Sequence, residues 1–237
     1  MKWTTSADEL KGIADTLKDV LTMCWLVFEH NKIRMVNVDP EKIATLFMEV
    51  MPPPDMYQCQ TGFTFCTYIQ LIYKVLRGTK AKDVATLCCD DGQNMTIEVK
   101  SENNQTKMKI RLNSLADPAP KFTFPVPIYD RQLEMNSASL YYILHDLGAV
   151  SRVFTLNIKS NVVTFESQDE SGTTLAFCDE HRNLQYDFKG CFLTKYVEKF
   201  LKPKLTKHVQ LRLKQGSPLS VVYQIAHGTL ELAIAPL

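Results

Sequence analysis

Four prolines inside eighteen residues set the first constraint on this chain. The stretch NSLADPAPKFTFPVPIYD, residues 113–130, holds Pro118, Pro120, Pro125 and Pro127. Each removes a backbone donor and fixes φ near the polyproline value, so the run suits an extended connector better than a helix or a sheet. It falls near the middle of 237 residues. On either side lie roughly 110 residues, enough for a separate core. The expected division is a domain over 1–112, a connector over 113–128 and a second domain over 129–237.

The two flanks read alike. Before the connector, Ser6 and Glu9 have capping-box spacing, and Leu10, Ile13, Ala14, Leu17 and Leu21 recur at helical intervals. Met1 to Thr4 reads as the approach to that helix. Alternating segments predict strands over 25–29, 33–38, 43–50 and 56–60, with His30-Asn31 as a tight turn. Apolar spacing then predicts a second helix over 64–76. Strands follow over 84–89, 95–100 and 107–112, with Asp91-Gly92 turning the first pair.

Beyond the connector the order restarts. A helix is expected over 137–147, with Leu140, Ile143, Leu144 and Leu147 inward, then strands over 153–158, 162–167, 173–178 and 184–188. A fourth helix over 192–201 turns Leu193, Val197 and Phe200 inward, and a strand follows over 208–213. The chain closes on LSVVYQIAHGTLELAIAPL, two alternating strands about His227-Gly228. Helix, strands, helix, strands, stated twice, is an α+β architecture made by duplication.

Apolar residues at 45% and charged residues at 22% support an ordinary core and argue against disorder. Apolar runs are short and broken by charge, so no membrane-spanning helix and no apolar leader are expected, and the protein reads as intracellular. The seven cysteines (Cys24, Cys59, Cys66, Cys88, Cys89, Cys178, Cys191) are scattered and odd in number. They read as small buried hydrophobes in a reducing compartment.

The formal net charge of +1 hides an uneven distribution. Lys11 and Lys18 share one face of the first helix; Lys74 and Arg77 lie on the second, with Lys80 and Lys82 just past it. From Cys191 to Lys207, Lys195, Lys199, Lys202, Lys204 and Lys207 face only Glu198, a balance of +4. From Asn157 to Gly190 the balance is −3. Basic helices suit phosphate contacts that grip nucleic acid without reading bases. Solvated lysines on exposed faces are the plainer alternative.

No catalytic constellation accompanies them. Cys178-Asp179-Glu180-His181 lacks a second ligand pair for zinc, His145-Asp146 has no nucleophile near it in sequence, and no glycine-rich phosphate loop is present. The expectation is a non-enzyme without cofactor or metal.

LKGIADTLKDVLTMCWLVFEHNKIRMVNVDPEKIATL, residues 10–46, resembles the opening of the proliferating cell nuclear antigen family of DNA sliding clamps. HVQLRLKQGSPLSVVYQIAHGTLELAIAP, residues 208–236, is similar to the family's last strands. The resemblance implies the DNA clamp fold and a homotrimeric ring around duplex DNA, with helices lining the hole and sheets outside. Lys11, Lys18, Lys74, Arg77, Lys80, Arg152, Lys195, Lys199, Lys202, Lys204 and Lys207 would face DNA. The third helix departs, with Tyr142 and His145 where the family usually has arginines.

The resemblance further implies that the edge strand Lys107, Met108, Lys109, Ile110, Arg111, Leu112 of one copy pairs with Thr173, Thr174, Leu175, Ala176, Phe177, Cys178 of the next. A clamp loader, DNA polymerase and other proteins with a short interacting peptide would be partners. Their pocket would be Val38, Ile43, Phe122, Phe124, Pro125, Pro218, Ala233, Ile234, Ala235 and Pro236, with Ala233 in place of a family tyrosine. The implied location is a nucleus or a viral DNA replication site. Alternatives are a checkpoint-type or clamp-derived viral factor acting as a hetero-oligomer or monomer, and, from another class, a small α+β enzyme or protein-binding module.

Overall fold

The computed structural model describes residues 1–115, 127–180 and 186–237. Contacts divide the chain into two units, one of Met1–Pro40, Leu46–Thr123 and Gln224–Leu230, the other of Glu41–Thr45, Phe124–Tyr223 and Glu231–Leu237. The Pro-rich segment falls mostly on residues 116–126, outside the described residues.

The first half of the chain runs β1 (Lys2–Ser6), α1 (Ala7–Leu17), β2 (Met23–Phe28), β3 (Ile33–Val38), β4 (Ala44–Val50), β5 (Tyr57–Gln58), β6 (Phe63–Tyr68), α2 (Ile69–Leu76), β7 (Val84–Cys89), β8 (Asn94–Lys100) and β9 (Thr106–Asn113). The second runs β10 (Arg131–Asn136), α3 (Ser137–Val150), β11 (Val153–Lys159), β12 (Val162–Gln168), β13 (Thr174–Glu180), β14 (Phe188–Leu193), α4 (Thr194–Phe200), β15 (His208–Leu213), β16 (Leu219–Ile225) and β17 (Gly228–Ile234). Apart from the two-residue β5, the orders coincide element for element.

Sheet order repeats too. The first half has β1-β7-β8-β9, extended by β5, and β4-β3-β2-β6. The second has β10-β15-β16-β17 and β13-β12-β11-β14. The likeness reaches single hydrogen bonds: Leu115 N–H donates to the Cys66 carbonyl at 2.9 Å, and Leu237 N–H donates to the Cys191 carbonyl at 3.0 Å. Cys66 sits in FTFCTY of β6 and Cys191 in FKGCFL of β14. In both halves, chain leaving the last strand covers the edge of the second sheet, where open donors would invite foreign pairing.

Several expected boundaries move. The 64–76 helix is a strand to Tyr68 and a helix only from Ile69. Aromatic and β-branched residues favour the strand, and β2 supplies its partner through Trp25↔Cys66 and Leu26↔Phe65. Likewise the fourth helix begins at Thr194, two residues late, because Phe188 to Leu193 pairs with β11. The strand expected over 184–188 is replaced by β14, with residues 181–185 outside the described set. Residues 56–60 yield only Tyr57–Gln58. β1 and β10 were not expected, and α3 extends to Val150.

Capping explains the helix starts. Ser6 accepts from Glu9 N–H at 3.5 Å, but the Glu9 carboxylate does not return to Ser6. It accepts instead from Ala226 N–H at 3.0 Å and Thr5 Oγ1 at 3.2 Å, tying α1 to the β16–β17 turn. Asn136 opens α3 by accepting from Ala138 and Ser139 N–H, each at 3.0 Å. At the β7–β8 turn Asp91 accepts from Asn94 and Gln93; those bonds, led by Asn94, pull its carboxyl down to about 2.

Phe28, Ile33, Met35, Leu46, Phe65 and Leu76 are fully buried in the first unit; Phe154, Phe165, Phe192, Phe200 and Tyr223 are in the second. Tyr223 also fixes the chain after α4, since its hydroxyl accepts from Lys202 N–H at 2.8 Å. At the β16–β17 turn, a Cβ on Gly228 would lie 1.9 Å from the Glu49 carbonyl oxygen. Backbone cannot yield as a flexible side chain does, so Gly228→Ala is expected to cost about 3 kcal/mol. Denaturant unfolding checks this, with a midpoint shift and unchanged slope expected.

Candidate functional site

The basic residues separate into two classes once their partners are seen. In the first unit α1 packs beside α2. Lys11 Nζ lies 2.6 Å from Asp8 and donates to the Thr79 carbonyl, at 3.3 Å, just past α2. Lys18 Nζ lies 2.9 Å from Asp15 and 2.8 Å from Asp19, and 4.8 Å over the Tyr73 ring of α2. Burial works against the Lys18 charge, but bonds to Asp19 and Asp15 outweigh it and hold the ammonium above the usual lysine range. These lysines staple α1 to α2 and are balanced by acids one turn away.

Lys74, Arg77 and Lys80 are exposed, and Lys74 and Arg77 make no ion pair among the described residues. Lys82, just beyond, pairs with Glu102 at 2.8 Å. On the helices of this unit, free cation therefore concentrates on α2 and its end.

In the second unit α3 lies beside α4. Lys195 is held by both oxygens of Glu41, at 2.9 and 2.8 Å, a partner 154 residues away in sequence. Lys199, Lys204, Lys207 and Arg152 are exposed without an ion pair among the described residues, and Lys202 is half-buried. Exposed pairs such as Lys195–Glu41 are worth about 0.2–1 kcal/mol, so a phosphate could still compete for the ammonium.

The third helix carries no lysine or arginine. Tyr142 is 62% exposed, Tyr141 stacks on His145 with centroids 5.9 Å apart, and Tyr141 meets Tyr142 edge-on at 5.5 Å. His145 Nδ1 is 2.9 Å from Glu198 Oε1 of α4, and that hydrogen bond raises the imidazole above its ordinary pKa.

The expected interface strands are both outermost in their sheets, β9 at one end of the first and β13 at one end of its own. Lys107, Lys109 and Arg111 are exposed, Met108 and Ile110 half-buried, and Leu112 buried in the core. Thr173, Thr174, Ala176 and Cys178 are exposed, Leu175 and Phe177 half-buried. Lys107 is already committed within the chain, 2.7 Å from each oxygen of buried Asp83. That bond holds the Asp83 carboxyl below the usual range. The exposed Cys178 corrects the reading of all seven cysteines as buried.

Of the expected peptide pocket, Phe122, Phe124 and Pro125 lie outside the described residues. Val38, Ile43, Pro218 and Ala233 are half-buried, Ala235 and Pro236 exposed. Ala235 N–H donates to the Ile43 carbonyl at 3.0 Å, bringing those two together. Ile234 is 0% exposed and turns into the core, so it lines no surface: strand alternation puts Ala233 and Ala235 on the opposite face.

Reading by charge alone missed Glu41 and Asp83, the acids that claim Lys195 and Lys107, and the aromatic cluster on α3. The i, i+3 spacing of Asp8 with Lys11 and Asp15 with Lys18 was the available signal for α1. Residues 3–117 match the family model of the proliferating cell nuclear antigen N-terminal domain.

Proposed function

Because this chain belongs to the proliferating cell nuclear antigen family of sliding clamps, we propose that it encircles duplex DNA as a ring of three copies. In that role it is a non-enzymatic tether for DNA polymerase and other replication and repair proteins. Domains 1–112 and 129–237, joined by 113–128, form each third of the ring. Lys74, Arg77, Lys80, Arg152, Lys199, Lys202, Lys204 and Lys207 carry the sequence-independent grip on phosphates, with Lys195 available by exchange from Glu41. Lys11 and Lys18 position α1 against α2 and contribute less.

The supporting observation is the coincidence of a duplicated fold with exposed cations on the corresponding helices α2 and α4. Edge strands β9 and β13 are proposed to pair between neighbouring copies, which removes two open edges at once. A clamp loader would open that contact. Client peptides would dock at Val38, Ile43, Pro218, Ala233, Ala235 and Pro236 with the connector residues Phe122, Phe124 and Pro125. The site of action is then a nucleus or a viral replication compartment. Light scattering behind size exclusion should give the mass of three chains; a monomer at micromolar concentration would refute the ring.

A further inference from the structure

We propose that α3 provides a stacking shelf for the bases of single-stranded DNA. This rests on the reading that the helices face nucleic acid, and it adds a second substrate form to the duplex.

The shelf consists of Tyr142, 62% exposed, set edge-on to a Tyr141–His145 stack whose planes differ by 14°. A large exposed aromatic is costly to leave in water. Here it stands on a helix without lysine or arginine, whose own exposed acid is Asp146. A surface built to hold a duplex from outside would place cations there, because the duplex offers phosphates and keeps its base faces covered. Aromatic faces are of use when bases are unstacked, and every base has a π-face, so such recognition is tolerant of sequence.

Cations for the accompanying backbone come from the neighbouring helix. α4 packs on α3 through the His145–Glu198 hydrogen bond, and Lys195 and Lys199 flank Glu198. Arg152 follows α3, its carbonyl accepting from Thr194 N–H at 2.9 Å at the start of α4. Single-strand sites combine aromatic platforms for bases with cations on a neighbouring element for the backbone. Glu198 and Asp146 are the acids at the shelf, and Lys199 and Arg152, exposed without an ion pair among the described residues, are the cations on α4 and just past α3 that a DNA backbone would engage and a neutral protein helix would not.

Fluorescence anisotropy tests this with a labelled oligothymidine, a labelled duplex and an oligonucleotide of abasic residues. Tyr142→Ala should weaken oligothymidine binding about tenfold while duplex binding stays within twofold, and Tyr142→Phe should retain it. The wild type should bind the abasic strand as weakly as Tyr142→Ala binds oligothymidine. Equal loss on single strand and duplex, or no discrimination against the abasic strand, overturns the shelf. Duplex binding by the wild type reports separately on the clamp reading, so the two can fail independently.

Discussion

Reversing two charges on β9, Lys109→Glu with Arg111→Glu, is expected to convert the proposed ring into monomers at micromolar concentration. Lys107, Lys109 and Arg111 alternate along the strand and are exposed. Lys107 is neutralised by Asp83, and Lys109 makes no ion pair among the described residues. The other edge is acidic: Glu166 of β12 stands opposite Ala176, Asp179 is exposed on β13, and Asp169 and Glu170 lie in the preceding turn. A basic edge meeting an acidic one favours head-to-tail pairing and disfavours β9 against β9.

Each reversal replaces an attraction with a repulsion, at about 1–2 kcal/mol across paired strands. Two together weaken association by roughly a hundredfold or more. Asp83–Lys107 is untouched, so circular dichroism should match wild type, while the melting temperature should fall slightly, because Lys109→Glu faces Glu98 across β8 and β9 and Arg111→Glu loses its hydrogen bond to Asn94. Adding Asp179→Lys to the reversed chain should restore part of the proposed trimer, and raising salt should dissociate the proposed wild-type ring. A variant that stays trimeric by light scattering would show that these edges do not meet.

How much of this was legible in the sequence depended on what kind of residue carried the signal. β3, β7 and β15 have the bounds their alternation predicts, since apolar residues in steps of two end at polar or turn residues. β1 and β10 escaped notice because each is short and its inward residues are few: Trp3 and Thr5 in one, Leu133 and Met135 in the other. The last residue of each, Ser6 or Asn136, is also the cap of the next helix and dominates the local pattern. β6 and α2 merged because apolar spacing continues across Tyr68, and only pairing with β2 separates them.

Charge was legible in sign and not in availability. Composition identified every lysine on α1, α2 and α4, yet whether an ammonium is free depends on acids brought by the fold. Lys195 and Glu41 are 154 residues apart, and Lys107 and Asp83 are 24 apart with β7 and β8 between them. Likewise Ile234 shares a motif with Ala235 and Pro236 but faces inward, a fact of strand parity.

That sorting of cations makes the second large prediction specific. Lys74→Glu, Arg77→Glu and Lys199→Glu combined should abolish stimulation of polymerase processivity, where Lys11→Gln with Lys18→Gln should only reduce it. The first three are exposed and lack an ion pair among the described residues, so reversal would remove the proposed phosphate contacts and add repulsion in every copy of the proposed ring. Each lost contact also removes roughly 0.9 from the slope of log affinity against log salt. All three lie in the last turn or at the C-cap of α2 or α4, so each reversal costs about 0.3–1 kcal/mol against the helix dipole, and the triple variant should melt somewhat below the wild type while the proposed trimer persists. The α1 pair acts through packing instead: Lys11 reaches Thr79 and Lys18 sits over Tyr73, so their loss loosens α1 from α2 and lowers the melting temperature. Primer extension on a singly primed circle distinguishes the sets. Full-length products from the triple variant, with the trimer intact, would mean that α2 and α4 do not face DNA.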